Sequence, residues 1–310
     1  MIVLLALPFH GFPKSVNFVY LFVYRAYIAL KKIVIDRVLR RWPWAQRRFD
    51  SAKFSIKRHI LPSRQVWVQV QSGFARGMWM RLRIPEEAGF WRGEHEPDVQ
   101  QALSAMVRPG DVVYDVGAHV GSIALGAARL VGATGRVMAF EGDPANILRL
   151  RENSSRNNLE QVLRAVHAAV WSGTAGTEIC FRRGSAGTTG GVEAGGQHPV
   201  LADGEWIRVP AITLDGFIAS GGLVPQFVKI DVEGGECEVL LGGASLFTRQ
   251  RPALIVEVHH QQADQQIRAW LEQYGYASKW RIPAESFPRC LTAWPVERDP
   301  RAGLPPQGVP

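Results

Sequence analysis

Three acids stand at the ends of three apolar runs. Asp115 closes DVVYDV, Glu141 closes RVMAFE and Asp231 closes QFVKID. A carboxylate placed there is carried to a strand end, where open α/β sheets hold their ligands. Asp115 leads into Val116-Gly117-Ala118-His119-Val120-Gly121. Gly117 and Gly121 let the backbone turn sharply and approach a ligand closely. The loop reads GxxxG, with His119 where GxGxxG would carry its second glycine, so it lacks the cradle for a diphosphate. A positively charged nucleoside without phosphate suits Asp115 better than a dinucleotide does. Glu141 lies 24 residues past Gly117, where an acid can accept both ribose hydroxyls.

A second group is Lys229-Ile230-Asp231-Val232-Glu233-Gly234, followed by Glu236. Crowding of acids around one lysine can perturb acidities, which is common at functional sites. The plainer alternative is a solvated loop with Lys229 paired to one acid. Glu257 and His259 end the apolar run ALIVEV, and polar groups inside such a run need a partner or a task. Asp231, Glu257 and His259 could offer oxygen and nitrogen to a divalent ion. No close ligand spacing supports that, and no metal is expected. Cys180, Cys237 and Cys290 are far apart, with no CxxC pair. Neither a zinc site nor a disulfide framework is indicated, and a reducing, cytoplasmic compartment fits.

The elements that must position these residues alternate from about residue 97. A helix opens at Pro97, strands are expected at 111–116, 136–141, 162–167, 226–231 and 253–258, and helices at 121–131, 144–157, up to Leu241, and at 264–274. Such alternation makes a doubly wound α/β domain with a mostly parallel sheet. Cys290–Trp294 is expected to add a last antiparallel strand. Gly184–Gly204, glycine-rich and poor in apolar residues, is expected as a long loop able to cover a substrate. Residues 65–84 alternate as two strands.

The net charge of +8 is unevenly placed. Residues 25–64 hold twelve Lys or Arg against two acids, so the rest of the chain carries a slight negative surplus. A domain that grips a nucleic-acid backbone should carry its positive charge around the active cleft, so no nucleic acid is expected as partner. Residues 16–41 read as an amphipathic helix with basic residues on its C-terminal half, followed by Trp42 and Trp44. It can lie in a membrane interface, giving peripheral contact through residues 16–44 at the inner face of the membrane, or pack on the α/β domain, or form a partly disordered arm. Arg25 interrupts the apolar stretch, so a spanning helix is not expected. The organisation expected is a basic extension over 1–64, a β lead-in over 65–93, the α/β domain over 94–296 and a disordered tail over 297–310.

From about Glu94 to His259 the chain resembles the FkbM family of methyltransferases. The resemblance is carried by YDVGAHVG (114–121), GRVMAFEGDP (135–144), NSSRNNL (153–159), TLDGF (213–217), VKIDVEGGECEVLLGGA (228–244) and PALIVEVH (252–259). It implies a class I methyltransferase (Rossmann-like) fold, S-adenosylmethionine as donor, and an alcohol oxygen of a small molecule or saccharide as acceptor. By the same resemblance Asp115, Gly117 and Gly121 would hold the methionine part of the cofactor, Glu141 the ribose, and Asn158 would lie near the adenine. Asp231 and Glu233 would face the acceptor. The chemistry of proton removal points to Asp231, Glu233 or His259 as base, with Lys229 orienting the acceptor or stabilising its developing charge. Gly142-Asp143-Pro144 departs from the Pro-x-Pro more usual in the family. A nucleic-acid methyltransferase tethered by the basic arm and a non-catalytic cofactor-binding scaffold are the competing functions. The first lacks an Asn-Pro-Pro-Tyr-type motif, and the second does not need the full acid and glycine set.

Overall fold

The computed structural model describes residues 21, 22, 24–26, 29, 63–173, 178–184, 190–192, 204–280 and 287–298. The chain divides into two compact units, Met1–Trp67 with Leu82–Ala88, and Val68–Arg81 with Gly89–Pro310. In the first unit the described residues between 21 and 29 are helical, in keeping with the helix expected there. The rest of that helix, Trp42, Trp44 and residues 299–310 lie outside the described residues. Glu87 is buried in this unit and accepts the Arg83 backbone N–H at 2.7 Å. Among the described residues no helix is long and apolar enough to cross a membrane.

The two strands expected over 65–84 are β1 (Arg64–Gln69) and β2 (Trp79–Ile84). They are followed by α1 (Ala88–Arg92) and α2 (Pro97–Met106). The α/β rhythm then runs β3 (Val112–Val116), α3 (Ser122–Val131), β4 (Arg136–Glu141), α4 (Pro144–Arg156) and β5 (Leu163–His167). After an inserted sheet come α5 (Leu214–Ala219), β10 (Phe227–Ile230), α6 (Glu236–Gly242), β11 (Ala253–Val258), α7 (Gln261–Gln273), β12 (Tyr276–Trp280) and β13 (Arg289–Pro295).

Seven strands form the main sheet in the order β12-β13-β11-β10-β3-β4-β5. The five from β11 to β5 are parallel, and β13 and β12 close one edge antiparallel. The parallel strands are apolar because helices cover both faces. Tyr114, Phe140, Val228, Ile230, Leu254 and Val256 are buried in one cluster. The chain moves outward through β3, β4 and β5, then returns to place β10 on the other side of β3. The order therefore reverses between β3 and β10, which is where such sheets bind ligands.

That switch point explains Gly117. Register puts Asp115 opposite Lys229 and Val116 opposite Ile230, and the Asp231 N–H donates to the Val116 carbonyl at 3.0 Å. Gly117 has φ +80, and a Cβ there would lie 1.7 Å from the Asp231 carbonyl oxygen. Only glycine lets the two strand ends run this close. Helix α3 packs tightly for a related reason. Ala124, Gly126, Ala127 and Ala128 are all buried, and a Cβ on Gly126 would meet the Phe74 ring at 2.0 Å. Helix α4 starts cleanly because Asp143 caps it, accepting the Ala145 N–H at 2.7 Å with Pro144 in its first turn. The departure at Gly142-Asp143-Pro144 thus serves as a helix start.

The inserted sheet corrects one expectation. β6 (Ala169–Val170), β7 (Glu178–Gly184), β8 (Gly190–Val192) and β9 (Gly204–Ile212) form four strands in the order β6-β9-β7-β8. The stretch expected as one loop from Gly184 to Gly204 contains β8 and the ends of β7 and β9, while its residues 185–189 and 193–203 lie outside the described residues. Backbone pairing holds β8 to Phe181–Arg183 and does not need the apolar side chains whose scarcity suggested a loop. The edge strand β12 and the short helix α5 also went unread.

Gly117→Ala is expected to lose more than about 1 kcal/mol of stability, the least that a positive-φ glycine loses on substitution. Gly132→Ala is the control, because Gly132 also has positive φ but has nothing within 4 Å of its missing Cβ. Urea unfolding should show Gly117→Ala losing clearly more. Equal losses would mean that the close approach to Asp231 contributes nothing.

Candidate active site

A cavity of about 560 Å³ opens at the switch point. The glycine loop lines it with Gly117, Ala118 and His119, and α3 adds Ser122 and Ile123. The ends of β10 and β11 contribute Lys229, Asp231, Glu233, Glu257 and His259. Phe90, His95, Glu96 and Pro288 complete the wall. The lining carries four carboxylates and no arginine among the described residues.

Lys229 holds the two strand ends together. Its Nζ donates to the Gly117 carbonyl at 3.0 Å and lies 3.2 Å from Asp115 Oδ1 and 3.4 Å from Asp231 Oδ2. An ammonium has three donors, and three acceptors surround this one. Lys229 and Asp115 are both buried. Burial disfavours the Lys229 charge, but Asp115, Asp231 and Glu96 outweigh it and raise the ammonium well above its ordinary value. Burial raises Asp115, with Lys229 opposing and Glu96 adding to the rise. Asp231 is likewise raised by burial, against the pull of Lys229. Occupied in this way, Lys229 is a clamp between strands more than a free donor toward an acceptor.

His259 is fixed from behind. Its Nδ1 lies 2.6 Å from Oε1 of Glu236, whose side chain is fully buried. Its Nε2 faces Asp231 Oδ1 at 3.6 Å and Glu233 Oε2 at 3.4 Å. Burial opposes the imidazolium, yet Glu236, Asp231 and Glu233 raise its pKa to about 9. At neutral pH the ring is therefore protonated and has no lone pair to accept a proton. Glu233 is the most exposed of the group, and burial raises its carboxyl. It bends left-handed at φ 54 and is followed by Gly234 at φ 102, so the chain turns out of β10 within two residues. Trp171, just past β6, lies against that turn, with Cζ3 3.1 Å from where a Gly235 Cβ would be.

Sequence reading missed Glu96. It lies ahead of α2, where its backbone is left-handed (φ 46) and its side chain pairs with His95. Burial pushes its carboxyl up, but Lys229, His95 and His119 together hold it at about 2. The only hint in the sequence is an acid directly before Pro97, which reads equally well as a helix start. His119 stacks on Phe90 at 5.3 Å between ring centres, so the loop histidine contributes a ring as well as backbone.

Of the expected cofactor residues only Gly117 lines the cavity; Asp115, Gly121, Glu141 and Asn158 do not. The two Glu141 carboxylate oxygens accept the backbone N–H groups of His119 and Asp143, each at 2.8 Å. Burial raises the Glu141 carboxyl to about 7 despite those bonds. The Asn146 side chain bonds the same carboxylate. Asn158 is exposed and left-handed (φ 56) just past the end of α4, a place asparagine takes readily without any ligand. Its neighbours do more for the site. Asn153 is buried, donates to the Val120 carbonyl at 2.9 Å and accepts the Arg81 N–H at 2.7 Å. The NSSRNNL run thereby ties the glycine loop to β2.

The charge of the cavity lining favours a positively charged ligand. Among its lining side chains, acids outnumber the two cations Lys229 and His259. A diphosphate would meet repulsion and no arginine. The carboxylates of Glu96, Asp231 and Glu257 have oxygens within 4.8 Å of one another, as do the ligand-type atoms of Asp231, Glu233 and His259. Crowds of this kind are common without an ion, and Lys229 and His259 already offset this one, so no metal is assigned.

Glu236→Gln is expected to return the His259 pKa from about 9 to 6.5 or below, because burial would then go unopposed by its nearest acid. Titration of the ring by NMR measures this directly. The sign for stability follows from the raised value. The contribution is complete below 6.5, is lost as pH rises through about 9, and is worth about 3 kcal/mol. The variant should show a flatter loss of stability across that window. A His259 ring that still titrates near 9 in the variant would remove Glu236 as the cause.

Comparison with known proteins agrees with this geometry. Residues 115–278 match the family described as Methyltransferase FkbM domain. Hexuronic acid methyltransferase AglP of Haloferax volcanii is 28% identical over 212 residues, covering 62% of this chain and 79% of that protein. The 31-O-demethyl-FK506 methyltransferase FkbM of Streptomyces tacrolimicus is 30% identical over 175 residues, covering 49% of this chain and 67% of its own. A solved structure of methyltransferase FkbM from Methylobacillus flagellatus KT aligns with TM-score 0.43 at 16% identity, over 63% of this chain and half (50%) of that one. The sheet order, the glycine loop at its switch point and the match over 115–278 together place this chain in the FkbM family of S-adenosylmethionine-dependent methyltransferases.

Proposed function

We propose that the chain methylates a hydroxyl oxygen of a small molecule or saccharide. The observation that carries this reading is the single cavity that joins the glycine loop to the acids at the ends of β10 and β11. S-adenosylmethionine supplies a methyl group already activated on a sulfonium. Asp115 and the backbone at Gly117 and Gly121 hold its methionine part, and Glu141 holds the ribose, as the resemblance to the family implies. Asp231 and Glu233 face the acceptor. Their task is alignment, since a displacement gains most from holding the reacting atoms in line. Lys229 keeps the Gly117 carbonyl, Asp115 and Asp231 in register while this happens. His259, held as a cation by Glu236, attracts an acceptor's negative groups to the rim. Two relatives support the acceptor class by name, one acting on a hexuronic acid and the other on 31-O-demethyl-FK506. The basic arm over residues 25–64 supports peripheral contact with an anionic membrane surface at the cytoplasmic face.

The test uses the full chain with methyl-labelled S-adenosylmethionine and a panel of hexuronic acid and neutral hexose methyl glycosides. Label is expected in an alkali-stable ether, with release of the demethylated cofactor. Asp115→Asn should weaken cofactor binding about tenfold or more in calorimetry, as loss of a charged hydrogen-bond partner does. Absence of measurable affinity for the cofactor and its demethylated product in the wild-type protein would overturn the reading.

A further inference from the structure

We propose that Glu257 is the catalytic base, its carboxylate taking the proton from the acceptor hydroxyl. This rests on the reading of the acceptor as an alcohol. Glu257 is placed by β11, an interior strand whose other residues from Leu254 to Val258 are buried and apolar. It stands one position past the Ile230–Val256 register pair, beside Asp231, and its side chain lines the same cavity as the glycine loop. Its carboxylate has an oxygen within 4.8 Å of those of Asp231 and Glu96.

The other candidates are already engaged. Asp231 is paired with Lys229. Glu96 is paired with His95 and held at about 2, too weak a base to keep a proton. His259 is protonated through its bond to Glu236. Glu233 lies out at the rim, facing the His259 ring. Glu257 has no hydrogen bond or ion pair to its side chain among the described residues. Burial, then the neighbouring charges of Asp231 and Glu96, raise it to about 7, against the pull of His259 and Lys229. Cys290, its cross-strand neighbour on β13, is neutral at working pH because burial and Glu257 push its thiol up. A base whose pKa matches the operating pH is the efficient one.

The step balances. The acceptor O–H bond breaks and its proton passes to a Glu257 carboxylate oxygen. The acceptor oxygen's electron pair forms the new O–CH₃ bond, and the C–S bonding pair stays on sulfur, which changes from sulfonium to neutral thioether.

Two measurements test this, and one of them needs no acceptor. Infrared difference titration of wild type against Glu257→Gln should isolate a carboxyl that titrates near 7. One titrating near 4.5 would overturn the proposal whatever the substrate. On whichever glycoside the wild type methylates, Glu257→Gln should lower kcat about 100-fold or more, the usual range for a lost general base. Cofactor affinity should stay within about twofold, since Glu257 is assigned to the proton and not to the nucleoside, and a charged contact would be worth more. The limb of the kcat/KM profile near 7 should vanish in Glu257→Gln and return, displaced, with partial activity in Glu257→Asp. Retention of that limb in Glu257→Gln would overturn the assignment. If the wild type methylates no glycoside, the saccharide reading fails, and the infrared titration still decides whether Glu257 is poised as a base.

Discussion

One buried ammonium organises this site. Lys229 rises from β10 into a space bounded by the Asp115 and Asp231 carboxylates and the Gly117 carbonyl, at the line where strand order reverses. Charges this deep are costly unless each is matched, and removing one partner from a buried pair typically costs about 3–5 kcal/mol. The clamp therefore does more than pair charges. It sets how close the ends of β3 and β10 come, which is why residue 117 has no room for a side chain. It also settles which acids are left to interact with a ligand.

Around that clamp the cavity has more negative than positive groups. Burial and mutual repulsion raise Asp115, Asp231, Glu233 and Glu257, while Glu96 alone is held low by its cationic neighbours. A pocket in this condition favours a cationic ligand and disfavours a diphosphate, because a positive charge relieves the repulsion and a negative one deepens it. The donor used by this family carries such a charge. The same crowding separates the roles of neighbouring groups, since His259 becomes a fixed cation and Glu257 a weak acid within one cavity.

The scaffold behind the site is built from short-range solutions. Small residues on α3 bring the helix against the sheet, Asp143 starts α4, and Asn153 links the glycine loop to β2. These contacts explain much of the family-like wording between 114 and 159 without any ligand contact. The inserted sheet β6–β9 is different in kind. It lies between β5 and α5 in the chain, and Trp171, just past β6, packs against the turn after β10.

The parallel strands of the main sheet and most of their helices from residue 97 onward, the glycine loop and the acids at strand ends were legible in the residues, because each is a local pattern: apolar period, cap, glycine, terminal acid. The cavity membership of Asp231, Glu233, Glu257 and His259 follows from strand-end position in a parallel sheet, while Asp115 stays buried behind the lining against Lys229. The partners were not legible. Lys229 meets Gly117 across 112 residues, and His259 meets Glu236 across 23, distances over which no periodicity carries information. Glu96 reached the pocket only through a left-handed bend, and β8 formed by backbone pairing that its side chains do not advertise. Residue types and spacing thus specified which groups arrive at the rim. Folding alone determined which of them neutralise each other, and so which carboxylate is left able to take a proton.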